Sequence, residues 1–363
     1  MLEKGRISPL QMGMIMYSTV TATAILSLPA ITAMHAGRDM WLSPIWGLLS
    51  GGISIFLAIM LGKRYPQETV IEYSNHILGR ILGKLVGLIY LLFYIHLSSL
   101  ILKEYGYFLV NNFYMRTPII VIIGSFALLC AFNARGGIEV IARTATLLTP
   151  IAYLLLFATI VLITPKIQPQ QMLPMFEHGA GPSLRGSISV QAWYSEFFLL
   201  SFLLPYMHDK HLKVKSSMVA LLAVMVTLVL VNMASLMFMG SEESGRNVYP
   251  LLGITRSISV AGFFQHLESL VMFFWVAGTF IKFSMFSYVS IIGTSQWLGL
   301  PRYQPLVMPV VFLIVVISQW GDPRLQELIR FMDVSLPSYL LVLQIAVPAA
   351  LLLISLARRK MAG

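Results

Sequence analysis

Charge is scarce in this chain. Only 11% of its 363 residues are Asp, Glu, Lys or Arg, and 57% are hydrophobic. A soluble domain is about one quarter charged, so the composition reads as an all-α polytopic membrane protein. Cysteine is scarcer still. Cys130 stands alone, which excludes an internal disulfide. No His/Cys group has metal-ligand spacing, no GxxxxGK[ST] phosphate loop occurs, and no nucleophile–base set lies in or beside the apolar runs. Neither a metal centre, a nucleotide-driven motor, an enzyme nor a cofactor is expected. A cleavable leader is not expected either, because the first apolar run starts near Ile7 and contains a proline.

What is there is a series of apolar runs. Ten spans fit at about 20 residues each for a roughly 30 Å hydrocarbon core: 8–34, 41–62, 82–111, 117–133, 138–164, 185–206, 214–239, 261–293, 303–320 and 334–357. The connectors are too short for a soluble domain, so residues 1–363 read as one transmembrane domain. Placing the N-terminus inside puts about twice as many Lys and Arg on the cytoplasmic side as outside, which sets both termini in the cytoplasm. The net charge of +10 is assigned to loops facing anionic lipid, not to nucleic acid. The run 208–215, HDKHLKVK, is a lipid anchor on this reading, with docking to a partner subunit as the alternative.

Two spans stand out. The sixth carries Gln191, Trp193, Tyr194, Ser195 and Glu196 before Pro205. A carboxylate at the centre of a membrane helix costs roughly 2.5–3.5 kcal/mol on insertion scales and marks a functional site by default. The first opens with Ser8-Pro9, an N-cap followed by proline at the first helical position. It then runs through Thr19, Thr21 and Thr23 to Pro29. Small and hydroxyl residues before a proline predict a broken helix. Interruptions at matching places in two sets of five spans (8–164 and 185–357) point to an inverted-repeat transporter with a midplane site. The two breaks would face each other, offering amide N–H groups to a carboxylate and carbonyls to an ammonium.

The stretches ISPLQMGMIMYS, ATAILSLPA, WLSPIWGLLSGGIS and GKRYP…IEYSNHILGRILGKLVG resemble the spore germinant-receptor B subunits. These are relatives of the amino acid–polyamine–organocation transporters. The resemblance covers nearly the whole chain. It implies a LeuT-like five-plus-five fold with discontinuous helices 1 and 6, placed in the inner membrane of a bacterial spore. It also implies assembly with an A-type membrane subunit and a C-type lipoprotein subunit, and the sensing of a small germinant, often an amino acid. Relatives carry glycines in the first break where this chain has Ala22 and Ala24.

The candidate ligand site is therefore Thr21, Ala22, Thr23, Ala24 and Ile25 of span one, Trp193, Tyr194, Ser195 and Glu196 of span six, and Tyr94 and Ser98 of span three. Tyr90, Tyr94 and Ser98 are spaced by four and share a helix face. Glu196 and Lys282 are candidates for proton or charge coupling. Lys282 has three readings: a partner of Glu196, a fixed cation in place of a coupling sodium, or a snorkelling side chain. His96 reads as a satisfied interior histidine. Lys103, Glu104, Glu139, Arg143 and Glu268 lie towards span ends and read as structural. Three functions share these residues: a ligand-sensing receptor subunit, a proton-coupled amino-acid transporter, and a water or ion conduit.

Overall fold

The computed structural model describes residues 3, 5–209, 211–257, 268–320 and 325–361. Among them, seven helical stretches are long and apolar enough to cross a membrane. The first, Pro9–Arg64, counts 56 residues. That is about 84 Å of helix at ~1.5 Å per residue, far more than one bilayer needs. A tight turn at Gly37–Leu42, where Gly37 takes a φ of 56°, divides it in two. It yields α1 (Pro9–Ala36) and α2 (Leu48–Arg64). The series continues with α3 (Arg80–Asn112), α4 (Ile119–Arg135), α5 (Ile138–Ile163), α6 (Gly181–Tyr206), α7 (Lys213–Arg246), α8 (Glu268–Leu298), α9 (Gln304–Ser318) and α10 (Leu325–Arg358). The order matches the ten expected spans. The start of the eighth, 261–267, and Lys210 of the basic run lie outside the described residues.

Burial sorts the helices. In the most apolar 18 residues of α6, 89% are buried, against 28% in α5. Helix α6 is thus central, while α5 lies at the edge and turns Leu147, Leu154 and Phe157 outwards. Those exposed side chains suit lipid. Helix α1 is also central, packing on α5, α6, α7 and α8, whereas α3 packs on α4, α8 and α9.

Helix α1 begins as the sequence predicts. Ser8 caps it, its hydroxyl accepting from the Gln11 amide at 3.2 Å while the Gln11 side chain accepts from the Ser8 amide at 2.9 Å. The expected break does not follow. Residues 9–36 form one continuous helix with Pro29 inside it. Except for Thr23, the hydroxyls of this run bond back onto their own turn, and so does Thr32 beyond Pro29. Thr19 donates to the Ile15 carbonyl, Thr21 to Tyr17, Ser27 to Thr23 and Thr32 to Leu28. Such i−4 bonds satisfy the hydroxyls without unwinding the backbone. Alanine at 22 and 24 holds the helical backbone better than glycine would. Only Pro29 leaves a trace, because it has no N–H to offer the Ile25 carbonyl.

Helix α6 is interrupted, by tightening and not by opening. It is α-helical over Gly181–Ser195, becomes 3₁₀ over Glu196–Leu199, returns to α over Leu200–Leu203 and ends in a 3₁₀ turn at Leu204–Tyr206. Short 3₁₀ pieces inside a helix mark strain or function. Facing broken ends, each with free amides and carbonyls, are therefore not what this chain builds. Helix α7 kinks at Gly240, where φ is 78°, and in α10 Phe331–Ser335 and Val342–Ala346 are π-helical.

The face holding the N-terminus is tied shut. The Ile7 amide donates to the Tyr206 carbonyl and the His208 amide to the Ile7 carbonyl, both at 3.0 Å. Beside them, the Glu3 carboxylate accepts from the Gly5 amide at 2.8 Å, the Tyr303 hydroxyl at 3.1 Å and the Ile138 amide at 3.3 Å.

Candidate functional site

The contact of α1, α6 and α8 collects four of the sequence candidates. Lys282 on α8 donates to both oxygens of Glu196 on α6, each at 2.9 Å, and to the Thr23 hydroxyl on α1 at 2.8 Å. The Trp193 indole N–H donates to the same hydroxyl at 2.9 Å. Lys282 is 1% exposed and Glu196 4%, so the snorkelling reading of Lys282 is replaced by the pairing one. Burial dictates this arrangement. A lone carboxylate or ammonium in this interior would be costly, and the charges are tolerable only when paired and hydrogen-bonded. The 3₁₀ turn starts at Glu196 itself and sets where its carboxylate leaves α6.

Small residues let the helices come this close. Ala22 and Ala24 are fully buried, and Ala22 lies against Gly278 of α8. Ile25 packs in the same core. Tyr94 stands one ring away from the charge pair. Its ring meets Phe286 and Phe202 edge-on, and the Lys282 ammonium lies 5.5 Å from the centre of the Phe286 ring. The Tyr94 hydroxyl is buried and has no partner in the protein.

Other candidates turn elsewhere. Thr21 and Ser98 spend their hydroxyls on carbonyls of their own helices. Ser195 donates to the Ala192 carbonyl and to the Gln344 side chain of α10, at 2.6 and 3.2 Å. Tyr194 faces Gly47 at the start of α2, where Val190 and the Tyr194 ring crowd the place of a Cβ. These four are therefore not in the charged cluster. Helix α6 is central and buried all round, so its polar residues serve more than one neighbour.

Two residues outside the sequence candidates matter here. Gln344 lies fully buried in the π-helical stretch of α10, and its amide nitrogen has no partner. The same stretch exposes the Leu343 carbonyl to the Tyr90 hydroxyl of α3 at 2.8 Å. A glutamine in the apolar run LVLQIAV was the available signal. Glu104 of α3 is 2% exposed, and neither carboxylate oxygen has a partner. Its place towards the end of the span suggests a peripheral residue, and the fold buries it. By contrast, Glu139 and Arg143 form an exposed i,i+4 pair, and His96 meets the Tyr339 hydroxyl at 3.3 Å.

Known proteins bear on this geometry. Over 98% of its length the chain superposes on MhsT, solved in complex with L-phenylalanine, with a TM-score of 0.69, 13% identity and 99% of that chain covered. A Na+-coupled sialic acid symporter in a substrate-bound outward-open state gives 0.66 at 13% identity, over 94% of this chain and 79% of that one. The fold is thus the LeuT-like five-plus-five arrangement, in an integral membrane protein. In sequence, the chain is 26% identical to spore germination protein KB of Bacillus subtilis over 322 residues, 87% of this chain and 85% of that protein. It is 25% identical to spore germination protein YndE of the same organism, over 85% and 86%. It is 26% identical to spore germination protein XB of Bacillus anthracis, over 73% and 75%. Residues 6–324 match the permease-like family described as spore germination protein, and the chain belongs to that family.

Proposed function

We propose that this chain is the membrane subunit of a spore germinant receptor in the inner membrane of a bacterial spore. It binds a small germinant, an amino acid by preference, between α1, α6, α3 and α8. On this reading it is one transmembrane domain of two five-helix halves, 8–164 and 185–357, with both termini cytoplasmic. An A-type membrane subunit and a C-type lipoprotein subunit read its conformation. The supporting observation is the buried Lys282–Glu196–Thr23 cluster in a chain of the spore germination family. A ligand ammonium competes with Lys282 for Glu196, and a ligand carboxylate competes with Glu196 for Lys282. A zwitterion can therefore split the pair and leave neither charge unpaired. Binding then favours the conformation in which α8 has let go of α1 and α6.

Spores carrying Glu196→Gln or Ala22→Leu test the reading. Both are expected to need at least about tenfold more agonist, Glu196→Gln through the loss of one charge-assisted contact and Ala22→Leu through bulk at the α1–α8 contact. An unchanged agonist response in both would remove the site.

A second reading, proton-coupled amino-acid uptake, is favoured by one observation: an acid and an amine share a hydrogen bond at 2.9 Å inside the membrane. Liposomes holding this chain alone separate the two. Saturable uptake driven by a pH gradient supports transport, and its absence supports sensing.

A further inference from the structure

Glu104 is a buried carboxylate without a partner, and it lines a cavity. The cavity measures about 200 Å³ and is walled by Ile31 of α1, Glu104 of α3, Tyr249 after α7, and Leu328 and Met332 of α10. That is room for about six waters at ~30 Å³ each, or for one small organic molecule. None of Thr23, Trp193, Glu196 and Lys282 lines it, though Glu104 feels the charges of Lys282 and Glu196. Its α1 residues run from Ser27 to Met34, which lies about 6–17 Å along the helix from Thr23, away from the N-terminal face.

We infer that this cavity binds an aliphatic α-amino acid, with its ammonium on Glu104. Three observations specify the ligand. An unpaired carboxylate in an apolar interior calls for a cation. A bare metal ion would need oxygens on several sides, and the walls do not supply them. The Ser27 hydroxyl is spent on the Thr23 carbonyl, and the Asn247 side-chain oxygen on the Tyr249 amide. Among the described residues no three acidic, His or Cys side chains gather as metal ligands. The cation must therefore bring its own apolar body, which Ile31, Leu328 and Met332 accept. The buried Tyr249 hydroxyl, also without a partner in the protein, adds a second polar contact. Arg246 lines the same cavity from an exposed position, where Glu242 holds it at 2.6 Å. In this pose it is a cation within the lining that can meet the ligand carboxylate. Ammonium inward, carboxylate outward and hydrocarbon against the wall is the pose of a zwitterion such as valine.

Calorimetry on the full chain in nanodiscs tests this with three probes of one skeleton. These are L-valine, isobutylamine (no carboxylate) and isovalerate (no ammonium). Valine is expected to bind, with isovalerate weaker by at least about tenfold. Glu104→Gln, equal in size, is expected to lose valine by the same factor. Leu328→Trp, which fills the cavity and leaves the carboxylate in place, is expected to lose it as well. Isovalerate binding as tightly as valine overturns the inference, and so does the absence of valine binding to the parent chain. Unchanged valine binding in Glu104→Gln also overturns it. If that binding is then lost in Ala22→Leu, the ligand sits between α1 and α8, and the receptor reading stands without this second site.

Discussion

Gly278 of α8 stands so close to Ala22 of α1 that a methyl group added at 278 would lie 3.2 Å from the Ala22 Cβ. One helical turn further along α8, Lys282 reaches Thr23 of α1. The small-residue contact sets the spacing that the charged contact uses. Close approach of this kind is a common way for membrane helices to associate.

Widening that contact should loosen the whole cluster. Gly278→Ala is expected to cost under about 1 kcal/mol and Gly278→Val about 1–3 kcal/mol, the range for overpacking a tight site. Thermal melting of the detergent-purified protein checks the order. A valine variant that melts no lower than the alanine variant would remove this account of the spacing.

The charge pair should behave as a unit. Lys282→Met strands Glu196 in the interior and is expected to cost about 3–5 kcal/mol, as breaking a buried pair does. Adding Glu196→Gln should recover more than half of that loss, because the stranded charge is gone. The double-variant melt decides the matter: losses that merely add would mean the two residues act independently.

Closure of the N-terminal face should depend on Glu3. In a Cys130→Ala background, a cysteine placed at the fully buried Ser287 is expected to resist maleimide. Glu3→Ala releases the Tyr303 and Ile138 contacts and should raise the labelling rate. Equal rates with and without Glu3 would mean that other contacts hold this face.

Stability should carry a pH signature from Glu72, in the short helix Val70–Leu78 between α2 and α3. Burial raises its pKa, partly offset by the Thr69 amide that donates to it. The folded chain therefore holds this proton more tightly than the unfolded chain does. Its contribution to stability is present below the unfolded value and is lost as pH rises through the folded one. Glu72→Gln should raise the melting temperature at pH 7 relative to the parent and leave it nearly unchanged at pH 4. A difference of the same size at both pH values would show that Glu72 is not the group responsible.

Much of this architecture could be read in the residues. Scarce charge and evenly spaced apolar runs give ten helices, and Ser8-Pro9 marks the start of the first. Glu196 and Lys282 each stood out as a charge inside an apolar run. Their pairing is one of three readings the sequence allows Lys282, and helix register across 86 positions leaves no local signal to single it out. The first helix runs unbroken for a physical reason. Thr19, Thr21 and Ser27 look like helix breakers in composition, yet each returns its hydrogen bond to the preceding turn. Position towards the end of its span does not tell that Glu104 is interior. Whether a residue near the end of a long helix is covered depends on its neighbours, and here the segment around Tyr249 and the start of α10 cover it.

The two backbone bonds between Ile7 and the segment 206–208 have a mechanical meaning. They rivet the leading end of α1 to the trailing end of α6, so neither helix can slide at that face without dragging the other. A pull at Ile7 is thereby felt by the helix carrying Glu196 as well, and one handle moves both.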